Sequence, residues 1–255
     1  MIHKLIRRAA LTAAYIREYL FPADCPVCGA ELLDTREAWY GLCRSCMTEL
    51  FLSDEKRCSS CGRPLISEQG QCLQCREGEA APETAHVFDG VFSIFPYTGK
   101  YRKLLGAYKF GKRLSIGNFF AERVLEAVER LPPSAEERVF IPVPPRPGKV
   151  HKTGWDQVAY LGSRLRKMGL CIRPCLKRLS SKSQKKLNKA DRKTNLKGKI
   201  LCFPESLAGR NKGPVPREVV ILDDVITTGA TLDTCAAALK GAGVEKVYGI
   251  CLFYD

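Results

Sequence analysis

Eight cysteines fall between positions 25 and 75, and all eight stand in C-x-x-C pairs: Cys25/Cys28, Cys43/Cys46, Cys58/Cys61 and Cys72/Cys75. Nothing else in the chain restricts its folding so tightly. Two intervening residues let both sulfurs of a pair reach one tetrahedral ion from a single tight turn. Gly29 follows Cys28 and Gly62 follows Cys61, which suits the sharp backbone of a metal knuckle. Four thiolates per ion leave no position open for water or substrate, so the spacing predicts structural zinc in two sites. The order of the pairs admits two assignments. Tandem ribbons would use Cys25, Cys28, Cys43 and Cys46 for one ion and Cys58, Cys61, Cys72 and Cys75 for the other. An interleaved arrangement would join the first pair with the third and the second with the fourth. Disulfides and an iron–sulfur cluster are the rival uses of such thiols. The other cysteines, Cys171, Cys175, Cys202, Cys235 and Cys251, lie scattered among apolar neighbours. An odd total in paired spacing fits a reducing compartment, and hence a cytoplasmic protein, better than a secreted disulfide scaffold.

Before the cysteines, Ile2, Leu5, Ile6, Ala9, Ala13, Ile16 and Leu20 recur at helical spacing, which predicts an amphipathic helix over residues 1–21. Lys4, Arg7 and Arg8 ahead of an apolar run mimic a short signal peptide. Arg17 and Glu18 then interrupt it, and no small-x-small cleavage site follows. No stretch approaches the ~18 uninterrupted apolar residues of a membrane span. The net charge is +14, so an anionic partner is expected: nucleic acid, a phosphorylated metabolite or an anionic surface.

The ribbons occupy residues 22–78, and a linker of alanine, proline and charged residues with nothing to bury follows at 79–86. From Val87 the texture changes. Val91, Phe92, Ile94 and Phe95 read as a strand. Leu114–Arg130 reads as a helix, and Val139–Ile141 as a strand stopped by the rigid PVPPRP loop. Val158, Leu161, Leu165 and Met168 mark another helix. Val219–Leu222 is the continuous apolar run of a strand buried on both faces. Thr231–Ala242 is helical, and Val247–Phe253 is a final strand. Alternating strands and helices at these intervals predict an α/β domain over residues 87–255, with a mainly parallel sheet and flanking helices. Ligands in such sheets bind outside the carboxyl ends of the strands.

One such end carries LDDVITTGAT, residues 222–231. Asp223 and Asp224 leave the strand, and a short threonine- and glycine-rich loop leads into a helix. Thr227, Thr228 and Thr231 offer hydroxyls, Gly229 permits close backbone approach, and helix N-terminal amides bind phosphate. Two carboxylates beside a phosphate cradle suit a ribose phosphate, whose vicinal hydroxyls need acceptors. A magnesium site or a structural cap is the competing reading of the acids. The segment lacks the P-loop pattern, and Gly241-Ala242-Gly243 lies on the wrong side of its helix for a dinucleotide fold.

LDDVITTGAT resembles the phosphoribosyl pyrophosphate (PRPP) motif of type I phosphoribosyltransferases. The chain from residue 22 onward also resembles the ComF-like (competence protein F) family, through FPADCPVCG, LCRSC, CSSCGRPL, YKFGKR, IPVPPRP and the final motif. The family's R-G-F-N-Q is here Thr153-Gly154-Trp155-Asp156-Gln157 within KTGWDQ, so its arginine and asparagine are missing. The resemblance implies a type I phosphoribosyltransferase fold. It implies contacts from Asp223 and Asp224 to the ribose hydroxyls, and a 5-phosphate held by Thr227, Thr228, Gly229, Ala230 and Thr231. Pyrophosphate would meet Arg146, Lys149 and Lys152, with magnesium carried by the ligand. It also implies handling of incoming single-stranded DNA in natural transformation alongside other DNA-uptake proteins. The alternative is an active magnesium-dependent phosphoribosyltransferase of unknown acceptor. Residues 177–199 hold ten Lys and Arg against the single acid Asp191. They read as a lid over PRPP, as a nucleic-acid contact strip, or as a solvated basic loop.

Overall fold

The computed structural model describes residues 24–50, 56–58, 60, 62, 64–65, 70–80, 85–134, 136–179, 200–208 and 213–255. The helix expected at 1–21 and the basic residues 180–199 lie outside the described residues. Two short helices, α1 (Thr35–Tyr40) and α2 (Arg44–Glu49), accompany the first ribbon, and α3 (Leu73–Ala80) accompanies the second. The α/β part continues with β1 (Gly90–Pro96), α4 (Gly99–Lys109), α5 (Ile116–Val128), β2 (Val139–Pro142), α6 (Lys149–Thr153), α7 (Gln157–Lys167) and β3 (Cys171–Ile172). A small antiparallel pair, β4 (Leu176–Arg178) and β5 (Ile200–Cys202), precedes α8 (Pro204–Ala208), β6 (Glu218–Ile226), α9 (Ala230–Lys240) and β7 (Lys246–Tyr254).

The main sheet has the order β1-β7-β6-β2-β3, and every pairing in it is parallel. This is the architecture expected of the sequence: a mainly parallel sheet with flanking helices behind a small double zinc-ribbon module. The central strand β6 is buried on both faces. Val219 and Ile221 enter one core with Val139, Ile141 and the α9 residues Leu232, Cys235 and Leu239. Val220 and Leu222 enter the other with Phe140, Ile250, Leu252, the α5 phenylalanines Phe119 and Phe120, and the α7 residue Leu161. Each such aliphatic side chain contributes roughly 1.5–3 kcal/mol on burial, which is why this run tolerates no polar face until Asp223.

The first ribbon shares the second of these cores. Cys25, Tyr40, Leu42, Cys43, Cys46 and Leu50 pack in it beside Phe119 and Leu104. Polar contacts fix the docking: the Asn118 amide donates to the Trp39 carbonyl at 2.7 Å, Lys100 pairs with Glu49 at 2.8 Å, and the Tyr40 hydroxyl donates to Glu122. The second ribbon seats on β1. There the Arg57 guanidinium lies over the rings of Phe92 and Tyr254.

Two differences from the sequence expectation bear on the acids. Strand β6 runs on through both acids to Ile226, because β7 continues to pair with it, Asp223 opposite Cys251 and Ile226 opposite Tyr254. On its other side β2 stops at Pro142, opposite Leu222. The acids therefore lie beyond the end of β2, where the sheet opens. Helix α4 has no counterpart in the apolar periodicity. Its glycines, Gly99 and Gly106, mask the pattern, yet Leu104, Leu105 and Tyr108 are fully buried beneath it.

Gly62 gives a direct test of ribbon seating. Its φ is +69°, and a Cβ added there would lie 2.4 Å from the Val91 carbonyl oxygen in β1. Gly62→Ala is expected to cost about 1–3 kcal/mol, read as a lower urea midpoint. An unchanged midpoint would show that the second ribbon does not rest on β1.

Candidate functional site

Asp223 is buried and Asp224 half-buried, side by side at the opening of the sheet. An Asp223 carboxylate oxygen accepts the Asp224 backbone N–H at 2.8 Å. Burial, then the neighbouring Asp224 charge, pushes Asp223 up to about 8. Burial acts on Asp224 in the same direction, but the Lys109 ammonium at 2.8 Å and the Gln157 side-chain amide at 2.6 Å outweigh it and hold this carboxyl below its ordinary value. One carboxyl is thus poised to be neutral near pH 7 while its neighbour is ionised, the usual outcome for two acids sharing a site.

Behind Gln157 stands Lys149, whose ammonium donates to the Gln157 side-chain oxygen at 2.8 Å. The Tyr108 hydroxyl holds the Gln157 carbonyl at 2.7 Å. Asp156 replaces the expected asparagine and caps α7, accepting the Val158 N–H at 3.2 Å. The asparagine-to-aspartate departure is therefore absorbed locally as a helix cap. Arg146 is exposed on the loop before α6, its carbonyl accepting the Lys149 N–H. Lys152 lies in α6, and its side chain is outside the described residues.

The threonine loop follows β6 directly. Thr227, Thr228 and Ala230 are exposed, Thr231 is half-buried, and Gly229 is buried at the N-cap of α9 with φ +75°. The first amides of a helix lack intrahelical acceptors, and here those amides open at Gly229, the N-cap of α9. His86 covers its rear. Its Nδ1 lies 3.0 Å from Asp233 in the first turn of α9, and a Cβ on Gly229 would come within 2.8 Å of its Cε1. Any side chain at 229 would collide with that ring.

Sequence reasoning placed the acids, the loop and Lys149 at one site, and the structure brings these together. It did not place Lys109, Gln157 or His86 there. Lys109 and Gln157 stood within the YKFGKR and KTGWDQ segments, so the signal existed, but neither segment states which strand end it faces. For His86 no local pattern announces a contact made 147 residues later with Asp233.

The cysteines meet the demands of zinc. The sulfurs of Cys25, Cys28, Cys43 and Cys46 all lie within 4.8 Å of one another, as do those of Cys58, Cys72 and Cys75. Cys28 and Cys43 are 3.5 Å apart, near the ~3.8 Å that a tetrahedral site with 2.3 Å bonds imposes. The grouping is sequential, tandem rather than interleaved, and Cys61 lies outside the described residues. Both knuckles use the expected glycines: Gly29 (φ +81°) donates to the Cys25 carbonyl, and Gly62 to that of Cys58. No helix among the described residues is long and apolar enough to cross a membrane.

Comparison with known proteins agrees with this picture. A family model described as the double zinc ribbon domain matches residues 16–76. Competence protein ComFC of Streptococcus pneumoniae is 24% identical over 208 residues, which cover 81% of this chain and 84% of the relative. Competence protein F of Haemophilus influenzae is 28% identical over 216 residues, 81% of this chain and 87% of the relative. ComFC of Bacillus subtilis is 23% identical over 202 residues, 79% of each. The chain is similar to ComF-like proteins along about four fifths of its length.

Two expectations follow. The purified protein should carry two zinc ions per chain by elemental analysis, and Cys43→Ser should retain about one; retention of both would place Cys43 outside the metal site. Asp223 sets a pH dependence. Its folded-state pKa is raised, so its ionisation costs stability, a cost absent below the unfolded value near ~4 and growing as pH rises toward about 8. Asp223→Asn should therefore gain on the wild type in unfolding free energy between pH 5 and pH 8, by no more than about 1.4 kcal/mol per pH unit. A difference that does not change with pH would contradict this.

Proposed function

We propose that this ComF-like chain acts in the handling of incoming single-stranded DNA during natural transformation, and that it carries a binding site for PRPP or a close phosphoribosyl ligand. The competence role rests on the likeness to the three competence proteins. The ligand site rests on one observation: Asp223 and Asp224 emerge at the open carboxyl end of the central strand, directly before a threonine–glycine loop that caps a helix. Asp224, held ionised by Lys109, accepts from a ribose hydroxyl, and Asp223 supplies the second acceptor. The amides and hydroxyls of Thr227–Thr231 donate to the 5-phosphate. Lys149, Arg146 and Lys152 supply positive charge to the pyrophosphate. Magnesium bound with the ligand would neutralise pyrophosphate charge, and Asp223 and Asp224 are the carboxylates here that could hold it.

The charge excess of +14 supports an anionic polymer as the second partner. Neutralising each nucleic-acid phosphate releases counterions, so affinity for single-stranded DNA should fall steeply with salt.

Calorimetry with PRPP and magnesium tests the ligand site. The wild type should bind saturably, Asp224→Ala should lose at least ~10-fold in affinity, corresponding to about 1.4 kcal/mol, and single-stranded DNA binding should weaken as salt rises. Absence of PRPP binding by the wild type would remove the ligand reading, and a flat salt response would remove the phosphate-contact reading of DNA binding. Pyrophosphate release on supplying a nucleobase or amine acceptor would establish transfer as well as binding.

A further inference from the structure

Five cysteines stand outside the zinc clusters, and two of them meet. Strands β4 and β5 pair antiparallel, with Leu176 opposite Cys202, and the Phe203 N–H donates to the Cys175 carbonyl at 2.9 Å. Cys175 and Cys202 are thus diagonal neighbours across this small sheet. In regular strands such neighbours would point to opposite faces. Here Cys175 precedes β4, in a tight turn whose N–H returns to the Arg173 carbonyl at 2.9 Å. Both side chains nonetheless face the same core, in which Cys175 is buried and against which Cys202 packs, and the two thiols interact there. Cys175 is fully buried and Cys202 is half-buried. The partner thiol lowers the Cys202 pKa and raises that of Cys175.

We propose that Cys175 and Cys202 form an oxidisable dithiol, a peroxide-modified site distinct from the zinc cysteines. Cys202 is the more accessible sulfur and reacts first. Its thiolate attacks the peroxide O–O bond and becomes a sulfenic acid, releasing hydroxide. The Cys175 sulfur then attacks the Cys202 sulfur, the S–O bond breaks, and the hydroxyl leaves as water with the Cys175 proton. The peroxide is reduced by two electrons and the dithiol is oxidised to a disulfide. The register sets Cys175 one position from direct opposition to Cys202, and both pack in one core, the proximity a disulfide needs. The bond would join the two chain ends that flank the ten Lys and Arg of residues 177–199. It would also tie β4 to β5 beside Cys235 of α9, the helix that carries the threonine loop at its start.

The site is tested on the zinc-loaded full-length protein. The chain is treated with increasing hydrogen peroxide, free thiols are blocked, and the unreduced protein is digested with trypsin. Cleavage resists the Arg173-Pro174 bond, so Cys175 travels in the peptide Met168–Lys177 and Cys202 in Ile200–Arg210. The expected product is these two peptides joined, two hydrogens lighter than their sum and lost on reduction. It should form in the wild type and in Cys171→Ser while both zinc ions are retained, and be absent from Cys175→Ser and Cys202→Ser. A link that survives Cys175→Ser through Cys171 overturns the proposal. So does oxidation that releases zinc without producing the link.

Discussion

Asp224 keeps its charge in a strand buried on both faces because Lys109 lies 2.8 Å away and Gln157 2.6 Å away. An ionised carboxyl taken out of water costs several kcal/mol unless it is paired, and much of the surrounding structure serves that pairing. Helix α4 ends at Lys109 so that its ammonium reaches the strand. Tyr108, the preceding residue, is buried and fixes the Gln157 backbone, while Lys149 completes the chain on the far side of Gln157. Two basic residues from separate helices thus converge on one acid, Lys109 directly and Lys149 through Gln157. A phosphoribosyl ligand would enter a region of fixed positive charge that already bears on the acids, with little reorganisation on binding.

The ribbons do more than decorate this domain. Tyr40, Leu42 and Leu50 of the first ribbon complete the core over α5, so the zinc that shapes the ribbon also supports the helix layer beneath the sheet. Arg113, just beyond α4, donates to the Asp24 carbonyl at the start of that ribbon. The segment carrying Lys109 is therefore anchored at one end to the acids and at the other to the metal module.

Much of this was legible in the sequence, for physical reasons. The run from Val219 to Leu222 can only be a strand buried on both faces. The C-x-x-C spacing admits few structures, and the sequential grouping of the sulfurs resolved whether the ribbons are tandem or interleaved. Asp223, Asp224 and Thr227–Thr231 are contiguous, so their meeting needed no tertiary knowledge. Lys109 and Gln157 reach the acids only through the packing of α4 and α7 against the sheet, a non-local fact that no period encodes. Helix α4 was hidden by Gly99 and Gly106, residues that weaken helical preference and that tertiary packing overrides through Leu104, Leu105 and Tyr108. The Cys175–Cys202 contact was hidden likewise, since it depends on the pairing of β4 with β5 across the intervening basic segment.

The central claim is that the opening beyond β2 receives a ribose phosphate. Amide resonances of the isotopically labelled, zinc-loaded protein, followed during titration with ribose 5-phosphate, address this most directly. The account predicts that the shifts concentrate at Asp223, Asp224 and Thr227–Thr231, with weaker changes at Gln157. Shifts centred elsewhere on the molecule, or none at saturating ligand, would contradict it.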